Sequence, residues 1–261
     1  MTFIHALNPV LLDLGFVQIK WYGLMYVIAF LVTYFFVRAA AKQKKFGKRL
    51  TLDDVDVLML WLVAGLIIGA RLFEVLFYSP AYYFSHPAEI VAVWHGGLSF
   101  HGGLLGMLFA TWIFCRKKKI SLLALADVLI IPLALGQALG RIGNFINAEL
   151  VGRVTSLPWG VNFGGELNNA GNSVFRHPSQ LYEAFYNVVI FGVLFTLRNR
   201  KLPKGYLFAW FLTLYSVFRF FTEFAREPEV MLGPLTLGQW FNIPMFVAGV
   251  WLLWKLKRGK T

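Results

Sequence analysis

The chain has 261 residues, 58% of them hydrophobic and only 15% charged, where a soluble domain carries roughly 25% charged residues. It contains 26 Phe and 9 Trp and has a formal net charge of +12. This excludes a soluble globular protein and sets the fold class as an all-α integral membrane protein. A single cysteine, Cys115, excludes an internal disulfide and a Cys-based metal site. The start of the chain lacks the basic-then-apolar order and small-residue cleavage site of a secretory signal, so no processing is expected. With no internal repeat and no low-complexity linker, residues 1–261 are expected to form one polytopic domain.

In chain order, Met1 to Lys20 mixes Leu11, Leu12, Leu14, Phe16, Val17 and Ile19 with Asp13 and Pro9, a pattern expected along a membrane surface. Seven apolar runs follow, at Trp21–Ala40, Val55–Tyr78, Leu98–Phe114, Leu122–Leu139, Leu181–Leu197, Tyr206–Phe224 and Leu237–Trp254. Each approaches the ~20 residues that cross a bilayer, which predicts seven transmembrane helices. Basic residues follow every odd-numbered run: Arg38 to Arg49, Arg116 to Lys119, Arg198 to Lys204, and Lys255 to Lys260. By the positive-inside rule that side is cytoplasmic, with the N-terminus outside and the C-terminus inside. The charge is thus a topology signal rather than a nucleic-acid surface. The segment of about 147–176, between spans four and five and rich in Gly, Asn and Pro, reads as a small extracytoplasmic head.

The basic residues that topology does not explain are Lys20, Arg71, Arg141, Arg153, Arg176, Arg219 and Arg226. A guanidinium inside or beside a span is costly unless something anionic meets it, which makes each a candidate functional group. Span four ends in Gly140-Arg141-Ile142-Gly143-Asn144-Phe145-Ile146-Asn147-Ala148-Glu149, with Gln137, Arg141 and Asn144 on one helical stripe. Span six carries Tyr215, Arg219, Glu223 and Arg226 on another stripe, two cations with one anion. Arginines from two helices suit an anionic phosphodiester head group; the bland reading is a salt bridge between helices. For Asn144 and Asn147 the bland reading is helix capping.

His101 sits just inside the third run in His95-Gly96-Gly97-Leu98-Ser99-Phe100-His101-Gly102-Gly103. Imidazole takes protons near neutral pH, although a membrane histidine also serves simply as a packed hydrogen-bonding group. Tyr22 and Tyr26 lie one turn apart at the first span's entry, with Tyr26 read as an interfacial belt residue. Gly65/Gly69, Gly102/Gly106 and Gly136/Gly140 have the spacing of close helix contacts, and Arg71 with Glu74 is a candidate buried pair. In His177-Pro178-Ser179-Gln180-Leu181-Tyr182-Glu183 the proline marks a helix start, turning Gln180 and Glu183 inward. The sequence has no HExxH, Walker loop or GxSxG, which points away from zinc proteolysis, nucleotide hydrolysis and a common serine nucleophile.

Together HGGLSFHGG, GRIGNFINAELVGR, RHPSQLYEA and the Tyr215–Arg219–Glu223–Arg226 stripe resemble the phosphatidylglycerol–prolipoprotein diacylglyceryl transferases, from Trp21 through the last span. The resemblance implies transfer of a diacylglyceryl group from phosphatidylglycerol to the lipobox cysteine thiol of a prolipoprotein signal peptide. It implies release of glycerol phosphate, no cofactor and no metal, among the lipids of a bacterial inner membrane with the active site facing outward. His101, Arg141 and Arg219 match residues of catalytic role; Tyr22, Asn144, Glu149, Gly152, Tyr215, Glu223 and Arg226, with Arg141, match residues of lipid binding. Ala148 stands where some members have glycine. His101 as base and an arginine field that acidifies the thiol are two open routes to thiolate. The competing class is an anionic-lipid transporter or flippase, which would show repeats or broken helices; a polytopic acyltransferase has no motif in its favour.

Overall fold

A computed structural model describes residues 3–15, 18–228 and 230–258. Phe16 and Val17 of the expected surface segment and Lys260 of the basic tail lie outside the described residues. Packing divides the chain into two compact units, one from residues 1–33 and 126–261, the other from residues 34–125.

Helices stand wherever a span was expected. They are α1 (Trp21–Lys42), α2 (Leu52–Phe73), the short α3 (Pro80–Ser85), α4 (Phe100–Lys118), α5 (Leu122–Ile146), α6 (Ser179–Leu197), α7 (Tyr206–Thr222) and α8 (Leu237–Arg258). Among the described residues, four are long and apolar enough to cross a membrane: α1, α2 with its extension to Tyr78, α5 and α6. Strands are few and short. β1 (Phe3–His5) pairs in parallel with β4 (Val161–Phe163), β2 (Val10–Asp13) with β3 (Gln18–Lys20), and β5 (Met231–Leu232) with β6 (Leu235–Thr236). The N-terminal stretch expected along the surface therefore contains a strand hydrogen-bonded to the segment between α5 and α6.

In the unit of residues 34–125, α2 starts at a reciprocal cap. The Thr51 hydroxyl accepts from Asp54 N at 3.2 Å while Asp54 accepts from Thr51 N at 2.9 Å, satisfying two of the donors a helix start leaves open. The small residues of α2 and α4 then let two backbones touch. A Cβ at Gly106 would lie 1.9 Å from Gly65 O, and one at Gly69 would lie 2.4 Å from Gly102 O. Both spacings read from the sequence are thus helix–helix contacts. Beyond Phe73 the helix widens into a π turn, Glu74–Tyr78.

The expected Arg71–Glu74 pair is not formed. Among the described residues no ion pair joins them; Arg71, only 5% exposed, turns to backbone carbonyls of the loop that follows α3, and Glu74 accepts from the Ser79 hydroxyl at 3.4 Å.

In the other unit Gly136 of α5 meets Ala29 of α1, where a Cβ would lie 3.0 Å from the Ala29 methyl. Gly140, paired with it in the sequence reading, faces open space instead. Asp127 of α5 caps α7, accepting from Gly205 N at 2.6 Å and Phe208 N at 2.9 Å. A carboxylate there meets both the unpaired N–H groups and the positive end of the helix dipole. Gly249 brings α8 against α7, within 2.6 Å of the Thr213 hydroxyl for an added Cβ.

Candidate active site

Three helices of the larger unit deliver charge to one buried point. Glu183 lies one turn into α6 and is fully buried. Its Oε2 is 2.8 Å from Arg141 Nε of α5. Its Oε1 accepts from Arg226 Nη1 at 2.7 Å and lies 3.7 Å from Arg219 Nη1 of α7. Glu223 closes the group by pairing with Arg219 and lying 3.7 Å from Arg226 Nε. Three guanidiniums thus face two carboxylates, an excess of one positive charge. Ion pairs this buried survive only when each charge is compensated by its neighbours.

Charged members of both stripes read from the sequence meet in this group. Arg219 and Glu223, the C-cap of α7, meet at helical i, i+4 spacing. Arg226 lies beyond the end of α7, outside the expected helical stripe, and is brought to the group by the turn after the helix and its bridge to Gly152. Glu223 is further held by the Thr236 hydroxyl at 3.0 Å. Arg141 also donates from Nη1 to Asn144 Oδ1 at 3.2 Å, Asn144 donates to Glu149 Oε2 at 3.2 Å, and Asn147 donates to Glu149 Oε1 at 3.2 Å. Glu149 therefore stands one amide away from the cationic group, fixed by two asparagines. Its backbone carbonyl accepts from the buried Gln180 at 2.6 Å. Asn144 is a bridging residue here rather than a helix cap.

The side chains differ in access. Arg226 and Glu223 are 7% exposed at the side chain, Arg219 14%, and Arg141 24%. Arg141 spends Nε and Nη1 on protein partners, and the accessible quarter of its side chain is the face an anion can reach. Tyr22 covers the neighbouring turn: a Cβ at Gly143 would lie 2.9 Å from its ring, and its hydroxyl is 3.0 Å from that of Tyr26. Tyr215 stacks on Phe211 at 5.4 Å and meets Tyr186 edge-on at 5.9 Å.

The turn after α5 is built by backbone. Ala148 and Leu150 hold φ of +55° and +54°, a region that favours glycine. Gly152 packs so tightly that a Cβ would lie 2.5 Å from both Ala225 O and His177 O. It bridges to Arg226 while its N–H donates to His177 O at 3.0 Å. Arg153 donates to Arg226 O at 2.9 Å. These contacts fix the end of α7, so Gly152 holds Arg226 through the main chain. Beyond them, Arg176 grips Glu166 through two bonds of 2.7 and 2.8 Å and Glu227 at 3.0 Å. That pairing holds the Glu166 carboxyl below its ordinary range, while burial lowers His177.

His101 belongs to the unit of residues 34–125, at the second position of α4. Its exposed ring meets the Tyr78 hydroxyl through Nδ1 at 3.1 Å. Cys115 lies in the same unit and is buried.

Sequence reasoning turned Glu183 inward but did not place it at the centre of the group. The signal was there: a carboxylate beside Gln180 in a spanning run, in a chain with an unmatched surplus of arginine near spans. Tyr186 and Thr236 were missed. Tyr186 is buried, within electrostatic range of Glu183 and Arg219, and a tyrosine in an apolar helix carries no local signal.

The sequence matches, over residues 9–255, a family described as prolipoprotein diacylglyceryl transferase. Relatives named phosphatidylglycerol–prolipoprotein diacylglyceryl transferase include one from Geobacter sulfurreducens, 45% identical over 100% of this chain and 99% of its own length. One from Bordetella avium is 44% identical over 93% of this chain and 92% of its own. A third, from Cupriavidus metallidurans, is 43% identical over 97% and 94%.

Proposed function

Because this chain belongs to the prolipoprotein diacylglyceryl transferase family, a family of membrane enzymes that move a diacylglyceryl group from phosphatidylglycerol to prolipoproteins, we propose that it performs this transfer at the Arg141–Glu183–Arg219–Glu223–Arg226 group. The observation that carries the reading is the convergence of three guanidiniums on Glu183 with one positive charge in excess. One phosphodiester carries one negative charge, so bound lipid balances the group. Arg141, the most accessible of the three, meets the phosphate first, with Arg219 behind it. Tyr22 and Tyr215 are assigned to contact with the lipid, and Asn144, Glu149 and Gly152 to holding Arg141 and Arg226 in register.

The nucleophile is the lipobox cysteine thiol of the incoming signal peptide. Its sulfur forms a bond to the glyceryl carbon of the lipid as the bond from that carbon to the phosphate oxygen breaks. The electron pair leaves with glycerol phosphate, whose developing charge the arginines stabilise by a few kcal/mol per donor, about 2.7–4 in comparable oxyanion sites. The thiol proton is assigned to His101, whose Nδ1 lies 3.1 Å from the Tyr78 hydroxyl; Nε2 accepts in the tautomer whose Nδ1–H donates to Tyr78. Seven spans, an outward-facing site in the bacterial inner membrane and an extracytoplasmic head at about 147–176 complete the reading. Helices at all seven apolar runs and the one-sided basic residues support it.

The test uses purified protein, labelled phosphatidylglycerol, and a lipobox peptide with Cys or with Ser. Glycerol phosphate release that requires the Cys peptide and falls at least 100-fold in Arg141→Ala, in line with loss of an oxyanion donor, is the expected result. Lipid movement without cleavage, or full activity in Arg141→Ala, refutes it. Full activity in His101→Ala removes His101 as the base.

A further inference from the structure

We infer that Arg71 is a positioning residue for the transfer reaction, a guanidinium that fixes the backbone leading into His101. This rests on the assignment of His101 as the base.

Arg71 sits at the end of α2, buried and without a carboxylate partner among the described residues. All three of its nitrogens are engaged. Nε donates to Ile90 O at 3.0 Å, and Nη2 to Ala92 O at 2.9 Å and to Glu89 O. Nη1 donates to Gly96 O at 2.5 Å, Gly97 O at 2.9 Å and the Tyr83 hydroxyl at 3.0 Å. The guanidinium also lies over the Tyr83 ring, 4.8 Å from its centroid. A ring of carbonyl dipoles thus solvates the cation in place of an anion, and five N–H groups in a planar fork suit that task as an ammonium does not.

The clamped segment leads directly to His101. Gly96 and Gly97 hold φ of +88° and +69°, which turns their carbonyls onto Arg71. A Cβ at Gly97 would lie 2.4 Å from Tyr83 Oη and 2.9 Å from Arg71 Nη1. Two residues on, Ser99 N donates to Ala70 O at 3.1 Å, beside Arg71 in α2, and the Ser99 hydroxyl caps α4 by accepting from Gly102 N at 3.3 Å. His101 lies within that first turn. Its ring is referenced to the same helix end, because Tyr78, its 3.1 Å partner, closes the π turn that continues α2. Backbone and ring of His101 are therefore both measured from the end of α2. The first glycine pair of HGGLSFHGG builds the clamp; the second packs α4 on α2, since a Cβ at Gly102 would lie 2.3 Å from Gly69 O.

The experiment compares wild type, Arg71→Met, Arg71→Lys, Gly97→Ala, His101→Ala and the double variant Arg71→Met/His101→Ala, as full-length protein in phosphatidylglycerol-containing nanodiscs. Amide exchange across residues 86–99 is followed beside transfer kinetics. Arg71→Met is expected to lower kcat by roughly 100-fold, the scale of a displaced catalytic group, with KM for phosphatidylglycerol little changed and exchange across 86–99 accelerated. Arg71→Lys recovers part of the rate. Gly97→Ala, which disturbs the clamp while keeping the cation, reproduces the kcat loss should Arg71→Met not fold. The double variant is no slower than His101→Ala, because both changes act through one group. A double variant slower by the full Arg71→Met factor overturns the proposal, as does wild-type kcat in Arg71→Met. Wild-type activity in His101→Ala overturns the base assignment and this inference with it; a slow His101→Ala beside a fast Arg71→Met overturns the clamp alone.

Discussion

Replacing Glu183 by Gln removes one negative charge from the place where three guanidiniums meet and leaves the side chain's shape nearly unchanged. In the native group its two oxygens lie 2.8 Å from Arg141, 2.7 Å from Arg226 and 3.7 Å from Arg219. With the charge gone, three cations face Glu223 alone in a site where Glu183 itself has no exposed surface. Removing one partner of a buried ion pair costs about 3–5 kcal/mol, chiefly because the remaining charges stay buried without compensation. At about 2–4 °C per kcal/mol for a chain of this size, the melting temperature of Glu183→Gln is expected to fall by roughly 6–20 °C. The charge count makes a second demand. Arg226→Gln on its own is also destabilising, but added to Glu183→Gln it should restore stability, since two cations then face one anion. The assay is thermal unfolding of the four members of this double-mutant cycle in one detergent, with transfer activity measured in parallel. A Glu183→Gln melt within about 2 °C of wild type, or strictly additive losses in the double variant, would refute the reasoning.

Cys115→Ser should leave transfer activity at the wild-type level, because the attacking sulfur is the peptide's; loss of turnover with the fold intact counts against that assignment. Gly106→Ala drives a Cβ to within 1.9 Å of Gly65 O and should cost about 1–3 kcal/mol by overpacking, seen as a lower melting temperature; an unchanged melt means α2 and α4 do not touch there. At Ala148, with φ of +55°, Gly should be tolerated within about 1 kcal/mol, the backbone relief offsetting the entropy of glycine. A β-branched Val there should be clearly worse, and equal melts for the two variants contradict the left-handed turn. The segment between α5 and α6 should loosen in acid, read by protease cleavage between Gly152 and His177. Arg176 depresses Glu166, so that contribution is complete above the ordinary carboxylate range and is lost as pH falls through the lowered value. Burial depresses His177, which adds a penalty for protonation in the same direction. The effect is small, because the Glu166 side chain is 39% exposed and screened by solvent. Cleavage that rises toward alkaline pH reverses the predicted sign, and Arg176→Gln should abolish the Glu166 part.

Composition and periodicity by themselves determined the helical membrane architecture, the position of each long helix and the close-contact spacing of small residues in α2 and in α4, whose pairing with each other the structure supplied. Those properties follow from local rules: apolar length, helical spacing and the absence of Cβ atoms. The stripe of Arg141 and Asn144 in α5 and the Arg219–Glu223 spacing in α7 were legible for the same reason, since residues three and four apart share a face while the helix lasts; Arg226 reaches the group from beyond the helix end. The tertiary structure decided where the stripes point. Glu183 became the centre only because α5, α6 and α7 converge on it, and an ion pair between separate helices has no local signature. Arg71 shows the opposite outcome. Its spacing to Glu74 suggested a pair, yet six backbone and hydroxyl oxygens from α3 and the loop after it solvate the cation instead. A sequence records which charges must be compensated; only the folded chain determines which group does so.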